Sequence, residues 1–199
     1  MLPLIDRLMN NASITFFNSP LTSATKIPVG KEPLTKTFFQ LMDYKNPKLN
    51  FEFFHASVEA DFTPDITAAW EFGMTVYGTA NFYINDELII DLTHSQRLGT
   101  AFFSKGTAEE FGTKDLIAGT TYKLRIDFGS ASTSTMKNLG VVSFGGGGAR
   151  LGACPKVVVE ETIENAARAA EEADFAVLCT GLNVCTNITT PNIIDDRKE

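Results

Sequence analysis

The stretch THSQRLGTAFFSKGT, residues 93–107, holds the side chains best suited to recognition chemistry. His94, Gln96 and Arg97 supply hydrogen-bond donors and acceptors, and Phe102 and Phe103 follow in the same polar loop. An exposed aromatic ring can stack on the apolar face of a polyhydroxylated ring, while Arg, Gln or His bond its rim of hydroxyls. These five residues are the candidate ligand-binding set. The plainer alternative makes Phe102 and Phe103 a strand start, one of them in the core, and His94 a solvated loop histidine. Catalysis fits less well. Asp86 and Asp91 flank an expected hairpin and Glu71 points outward from a strand, positions where carboxylates are ordinarily solvated. No catalytic residue is assigned.

Other chemistries fit worse. The net charge is −7, and the densest charge run, Glu160 to Glu172, is acidic. Nucleic-acid binding needs Lys and Arg gathered on one face, so no such partner is expected. Cys154, Cys179 and Cys185 are odd in number and show no CxxC spacing. Structural zinc wants four Cys or His ligands with a close pair, so neither a metal nor a disulfide framework is expected. Reduced thiols in an intracellular protein are the better reading. No apolar run approaches the roughly 18 residues of a membrane helix. The start MLPLIDRLMNNAS lacks a basic region followed by an apolar stretch, so a cytoplasmic chain is expected, with a secreted parent left open.

The candidate loop must be positioned by the elements around it. Residues 1–47 are punctuated by prolines and read as irregular, apart from TKTFFQLMDY. From Leu49 to about Phe144 short β-branched and aromatic runs alternate with turn residues, which predicts an all-β sandwich or barrel. LNFEFFHASVEADFTPD predicts two strands, with Val58, Ala60 and Phe62 on one face. In AWEFGMTVYG, Trp70, Phe72, Met74 and Val76 share a side; in TYKLRIDFG, Tyr122, Leu124, Ile126 and Phe128 do. That period of two marks half-buried antiparallel strands. ANFYINDELIIDLT predicts a hairpin turning at Asn85-Asp86-Glu87. The run FGGGGARLG reads as a linker, so a deletion of everything after Gly148 is expected to leave the sandwich folded. Beyond it, EETIENAARAAEEAD predicts a helix and FAVLCTG a short strand of the kind buried on both faces of a parallel sheet. One such strand has no partner within the chain.

From about Ala12 to Asn183 the chain resembles part of the fungal and yeast β-glucosidases of glycoside hydrolase family 3. The likeness rests on FFQLMDYKNP, ADFTPD, AWEFGMTVYGTANFYINDELIID, QRLGTAFFSKGT, LIAGTTYKLRIDFG and GVVSFGGGGARLG. It implies the PA14 module that many of those enzymes carry. ARAAEEADFAVLCTGLN resembles their return into an α/β domain. The fold class so implied is mainly β: a PA14-type antiparallel β-sandwich or barrel, then a short helix and an orphan α/β-type strand. The expected divisions are an N-terminal remnant (1–11), the sandwich (12–144), a Gly-rich linker (145–153), a partial α/β segment (154–183) and a divergent, disordered tail (184–199). The family hairpin usually carries Asp-Gly where Asp86 is followed by Glu87, so that turn is expected to be strained or of another type.

The resemblance implies a non-catalytic module that recognises carbohydrate or gates an active site, with Arg97, Phe102, Phe103, Gln96 and His94 as candidate contacts. In the family the sandwich can lean over the active-site mouth, so one of the two phenylalanines is a candidate for an outer sugar subsite. A retaining glycosidase needs two carboxylates about 5–5.5 Å apart. The family places its nucleophilic Asp and acid/base Glu outside the part matched here, so this chain alone is expected to be inactive. Some relatives of the module hold calcium with adjacent aspartates. The Asp195-Asp196 pair lies outside the sandwich, so no metal or other cofactor is expected. Two further readings stand: a fragment carrying β-glucosidase activity by family, and an interaction module that pairs with a full-length homologue or with itself through Phe175–Cys179.

Overall fold

Alternation in the sequence becomes alternation in burial. A computed structural model of the protein describes residues 1–131, 146–156 and 159–177. Its strands are β1 (Met9–Phe17), β2 (Pro28–Pro33), β3 (Phe38–Gln40), β4 (His55–Phe62), β5 (Ala68–Tyr77), β6 (Thr79–Ile84), β7 (Glu87–Leu92), β8 (Glu110–Leu116), β9 (Tyr122–Gly129) and β10 (Gly148–Pro155). A one-turn element, α1 (Ala101–Ser104), precedes β8, and a helix, α2 (Val159–Glu171), follows β10. The strands form a six-stranded sheet, β2-β1-β4-β9-β6-β7, and a four-stranded sheet, β3-β10-β5-β8. The pairings are antiparallel throughout. The protein is thus an antiparallel β-sandwich, as the sequence predicts.

The core between the sheets is built from phenylalanine. β4 buries Ala56, Val58, Ala60 and Phe62; β5 buries Trp70, Phe72, Met74 and Val76; β9 buries Leu124, Ile126 and Phe128. Rings run through it in two chains. Phe16, Phe54 and Phe128 step at 6.2 and 6.0 Å, and Trp70, Phe62, Phe72 and Phe82 at 5.3, 6.0 and 5.3 Å. Most meet edge-on or tilted, which suits the ring quadrupole. Burial of each such side chain stabilises the fold by about 1.5–3 kcal/mol.

Four local expectations are corrected. Leu49–Phe54 is a turn, not a strand, because Asn46 and Asn50 bond the amides two residues on (3.0 and 3.1 Å) and divert the backbone from the ladder. The β6–β7 turn places Asn85 (φ 49°) and Asp86 (φ 64°) in the left-handed region, while Glu87 already belongs to β7. Two central residues with positive φ make a hairpin turn whose twist matches its strands, so Glu87 meets no strain. Residues 1–47 hold β1, β2 and β3, and Leu4 bridges to Gly152 while Ile5 enters the core. The stretch 2–11 therefore packs as part of the sandwich.

The largest correction concerns the glycine run. Gly148–Pro155 is no linker but β10, an interior strand paired with β3 from Gly148 to Arg150 and with β5 along its whole length. Gly146 and Gly147 take positive φ (101° and 73°) on the way in. Compactness agrees: Leu2–Lys156 forms one unit, and α2 belongs to another. The glycines serve packing on the outer face. A Cβ on Gly152 would meet the Leu2 and Pro3 carbonyl oxygens at 2.5 and 2.7 Å; one on its cross-strand partner Gly73 would meet Glu109 Oε1 at 2.7 Å. Over this bare floor the Leu2 amide donates to Glu109 Oε1 (2.9 Å), and Arg150 pairs with the same carboxylate (3.5 Å) and donates to the Leu2 carbonyl. In the separate unit α2 forms as expected, whereas Phe175–Val177 lie in no regular element. The rest of the expected Phe175–Cys179 strand and the 184–199 tail fall outside the described residues.

Two outcomes follow. A chain ended at Gly148 loses the middle of the four-stranded sheet and should show no cooperative melt by circular dichroism, whereas one ended at Lys156 should keep it. His55 gives the second. Burial pushes its pKa below the ordinary value of 6.5, and its buried Nε2 has no bonded partner among the described residues. It pairs with Phe17 and Gly129; Lys26 lies over the Phe17 ring, and Asp127 stands two residues before Gly129 on β9. The unfolded chain therefore binds this proton more readily, so stability is complete above about pH 6.5 and falls on acidification below it. His55→Gln should flatten that slope in chemical denaturation series.

Candidate functional site

The candidate loop has a fixed base and a costly tip. At the base, Leu98 and Thr107 bridge, Gly99 N–H donates to Gly106 O (3.0 Å) and Ala108 N–H to Arg97 O (2.7 Å). Thr107 fastens the base to the end of β5: its N–H donates to Val76 O (2.9 Å) and its hydroxyl accepts from Val76 N–H (3.1 Å). The tip is α1, where Phe102, Phe103 and Ser104 take φ of 52°, 57° and 61°. It is a left-handed turn closed by Ser104 N–H to Thr100 O (3.3 Å), Lys105 N–H to Phe102 O (3.1 Å) and Gly106 N–H to Ala101 O (2.9 Å).

Three non-glycine residues in that region cost about 1–2 kcal/mol each. Phe102 supplies the offset. It is 9% exposed and stacks on Phe38 of β3, centroids 5.9 Å apart and planes 14° from parallel. Its ring fills the space that a Cβ would take on Gly148 (2.8 Å) or Gly106 (2.6 Å). Burying a Phe contributes about 1.5–3 kcal/mol and the stack about 0.5–1.5 kcal/mol more. The two sides nearly balance, and the consequence is that the next ring, Phe103, is held out at 70% exposure.

The structure separates the five candidates. Gln96 is 6% exposed and donates Nε2 to Gly78 O (2.8 Å) and Leu92 O (2.7 Å), so it pins the β5–β6 corner to β7 rather than facing solvent. Phe102 is the buried one of the two phenylalanines. Phe103 is the displayed one. Arg97, with its side chain 71% exposed, is forked onto Glu110 Oε1 through Nε (2.9 Å) and Nη2 (2.7 Å). His94 is exposed, with Nδ1 2.6 Å from the Thr93 hydroxyl and 3.6 Å from Asp91.

Residues outside that set complete the surface. A cleft of about 420 Å³ between β7 and β8 is lined by Ile89, Ile90, Asp91, Ser95, Arg97, Glu110 and Phe111. Burial works to raise the Asp91 pKa, but the Thr93 hydroxyl and amide, and then His94, hold it below the ordinary carboxylate value. Phe111 was findable: in EFGTKDL it is the apolar residue on the polar side of the alternation, and it lies half exposed. At the far end of β10, burial pushes the Cys154 thiol up, with help from Glu71 and Glu109. That thiol is a poor nucleophile. Among the described residues no group of three His, Cys, Asp or Glu gathers as for a metal, and no helix is long and apolar enough to cross a membrane.

This sandwich, with its glycine-floored strand and loop-borne aromatics, has known counterparts. The chain belongs to the PA14 domain family, whose model matches residues 10–152. That match runs through the glycine run to the middle of β10. The chain is 56% identical over 183 residues to a probable β-glucosidase H of Emericella nidulans, covering 92% of this chain and 22% of the relative. It is 44% identical over 166 residues to a probable β-glucosidase I of Aspergillus clavatus, covering 83% and 20%. Among solved structures, β-glucosidase from Kluyveromyces marxianus in complex with glucose superposes with TM-score 0.71 at 30% identity, over 81% of this chain and 19% of that one. The chain thus spans about a fifth of the length of the β-glucosidases it matches.

The separation of pins from displayed groups is measurable. Gln96→Ala strands two buried carbonyls and should cost about 1–3 kcal/mol. Arg97→Ala loses only an exposed ion pair and should cost under about 1 kcal/mol. Urea denaturation of the two variants gives the comparison.

Proposed function

We propose that this chain is a non-catalytic carbohydrate-recognition and active-site-gating module of a β-glucosidase-like protein, and that Phe103 meets a β-glucoside. The observation that carries the reading is the displayed ring. The fold commits a left-handed turn, a buried anchor and a pinned base to hold Phe103 at 70% exposure. A flat exposed ring beside a polar loop is suited to the apolar face of a sugar. Arg97, Asp91 and Glu110 in the β7–β8 cleft add donors and acceptors for hydroxyls. The relatedness to β-glucosidases supports the ligand class, and the glucose complex of the Kluyveromyces marxianus enzyme is consistent with it.

Hydrolysis is a different matter. The carboxylates of this surface are engaged: Glu110 by Arg97, Asp91 by Thr93, Glu87 by Lys114 and Asp86 by Arg125. A second reading, that the chain docks a full-length homologue or a second copy, draws on the exposed apolar side chains Ile163, Phe175 and Val177 in and after α2.

The purified chain should release no chromophore from a nitrophenyl β-glucoside beyond a buffer control. Calorimetric titration with cellobiose should register weak binding, weakened about 3- to 10-fold by Phe103→Ala, the scale of one aromatic contact. Turnover well above buffer, or no heat of binding at high cellobiose, would overturn this function.

A further inference from the structure

The displayed ring and its buried neighbour are parts of one device. We propose that Phe102 is a latch: seated against Phe38 and over Gly148, it holds the left-handed turn that presents Phe103 to a β-glucoside. The ligand-contacting residue is thus set by one that touches no ligand. This rests on the carbohydrate-recognition reading above and adds how that surface is held or released.

Three independent features support the latch. The base of the loop does not need it, since Thr107 is tied twice to Val76 and Ala108 to Arg97. The tip does need it, because Phe102, Phe103 and Ser104 sit in a region that L-residues leave when nothing holds them there. The seat is made to measure: glycines at 106 and 148 leave the volume that the ring occupies, and Phe38 closes it from the neighbouring strand. A fixed base, a strained tip and one aromatic anchor together make a two-state element. With the ring seated, Phe103 is presented; with the ring out, the turn relaxes and the presentation is lost. Phe38 itself is 40% exposed at the sheet edge, so the seat opens to solvent, and a ligand or neighbouring surface can bias it.

Amide hydrogen exchange on the full chain tests this locally. In Phe102→Ala and in Phe38→Ala, the Ser104, Lys105 and Gly106 amides should exchange at least about 10-fold faster, the signature of a local opening. The Thr107 and Ala108 amides at the base should stay as in the wild type, and Phe38→Ala should still melt in one cooperative transition, a few degrees lower. Unchanged exchange at the tip, or equal acceleration at tip and base, would overturn the latch. Cellobiose titration separates it from the reading beneath it. If the wild type binds and Phe103→Ala weakens binding, Phe102→Ala should weaken it comparably. Binding that needs Phe103 but is indifferent to Phe102 defeats the latch alone. A wild type that ignores cellobiose while its variants still open at the tip defeats the carbohydrate reading and leaves the latch standing.

Discussion

The structure depends on β10 fitting between β3 and β5 with glycine at two positions of its outer face, 148 and 152. Gly148 and Gly152 lie two pleats apart on that face, with Arg150 between them. A residue with a Cβ at either position would lift what lies on top. Over Gly148 rests Phe102; over Gly152 pass Leu2 and Pro3; over the adjoining Gly73 lies Glu109. Arg150 gathers two of these, pairing with Glu109 and donating to the Leu2 carbonyl. The pair is mostly buried, so removal of either partner would strand a charge. One strand, with glycines at 148 and 152 and Arg150 between them, therefore holds the chain's N-terminal segment and the anchor of its display loop.

The direction of the same strand sets two ends of the sandwich apart. Gly148 opposes Tyr77, and Pro155 opposes Trp70. The display loop hangs from the Tyr77 end, through the Thr107–Val76 pair. The chain leaves the sandwich at the Trp70 end, where Lys156 N–H still bonds Ala69 O (2.7 Å). The display loop and the exit of the chain thus lie at opposite ends of β5 and β10, and the proposed gating reading draws on that separation.

Much of this was legible in residues. Alternation in AWEFGMTVYG and TYKLRIDFG placed the core faces of β5 and β9, and the Asn85-Asp86 turn announced the β6–β7 hairpin. The glycine run misled because local propensity prices glycine for its entropy, whereas here its absence of a side chain is what the packing needs. That need lies in Phe102, Leu2 and Glu109, far away in sequence. Gln96 and Phe102 misled for a related reason. Polar and aromatic residues in a loop read as a surface, and only the fold reveals that one caps buried carbonyls and the other is the anchor. Phe103, Arg97 and His94 stand on the surface where residue type placed them.

The central claim is that sugar meets this domain at the display loop. A nitrogen-15 chemical-shift titration of the chain with cellobiose puts it to the test. The account predicts shifts gathered at residues 99–108 and along the β7–β8 cleft, with β1, β2, β4 and β9 of the six-stranded sheet silent. Shifts centred instead on the outer face of that sheet, around Asp61, Lys123 and Arg125, or no shifts anywhere, would contradict it.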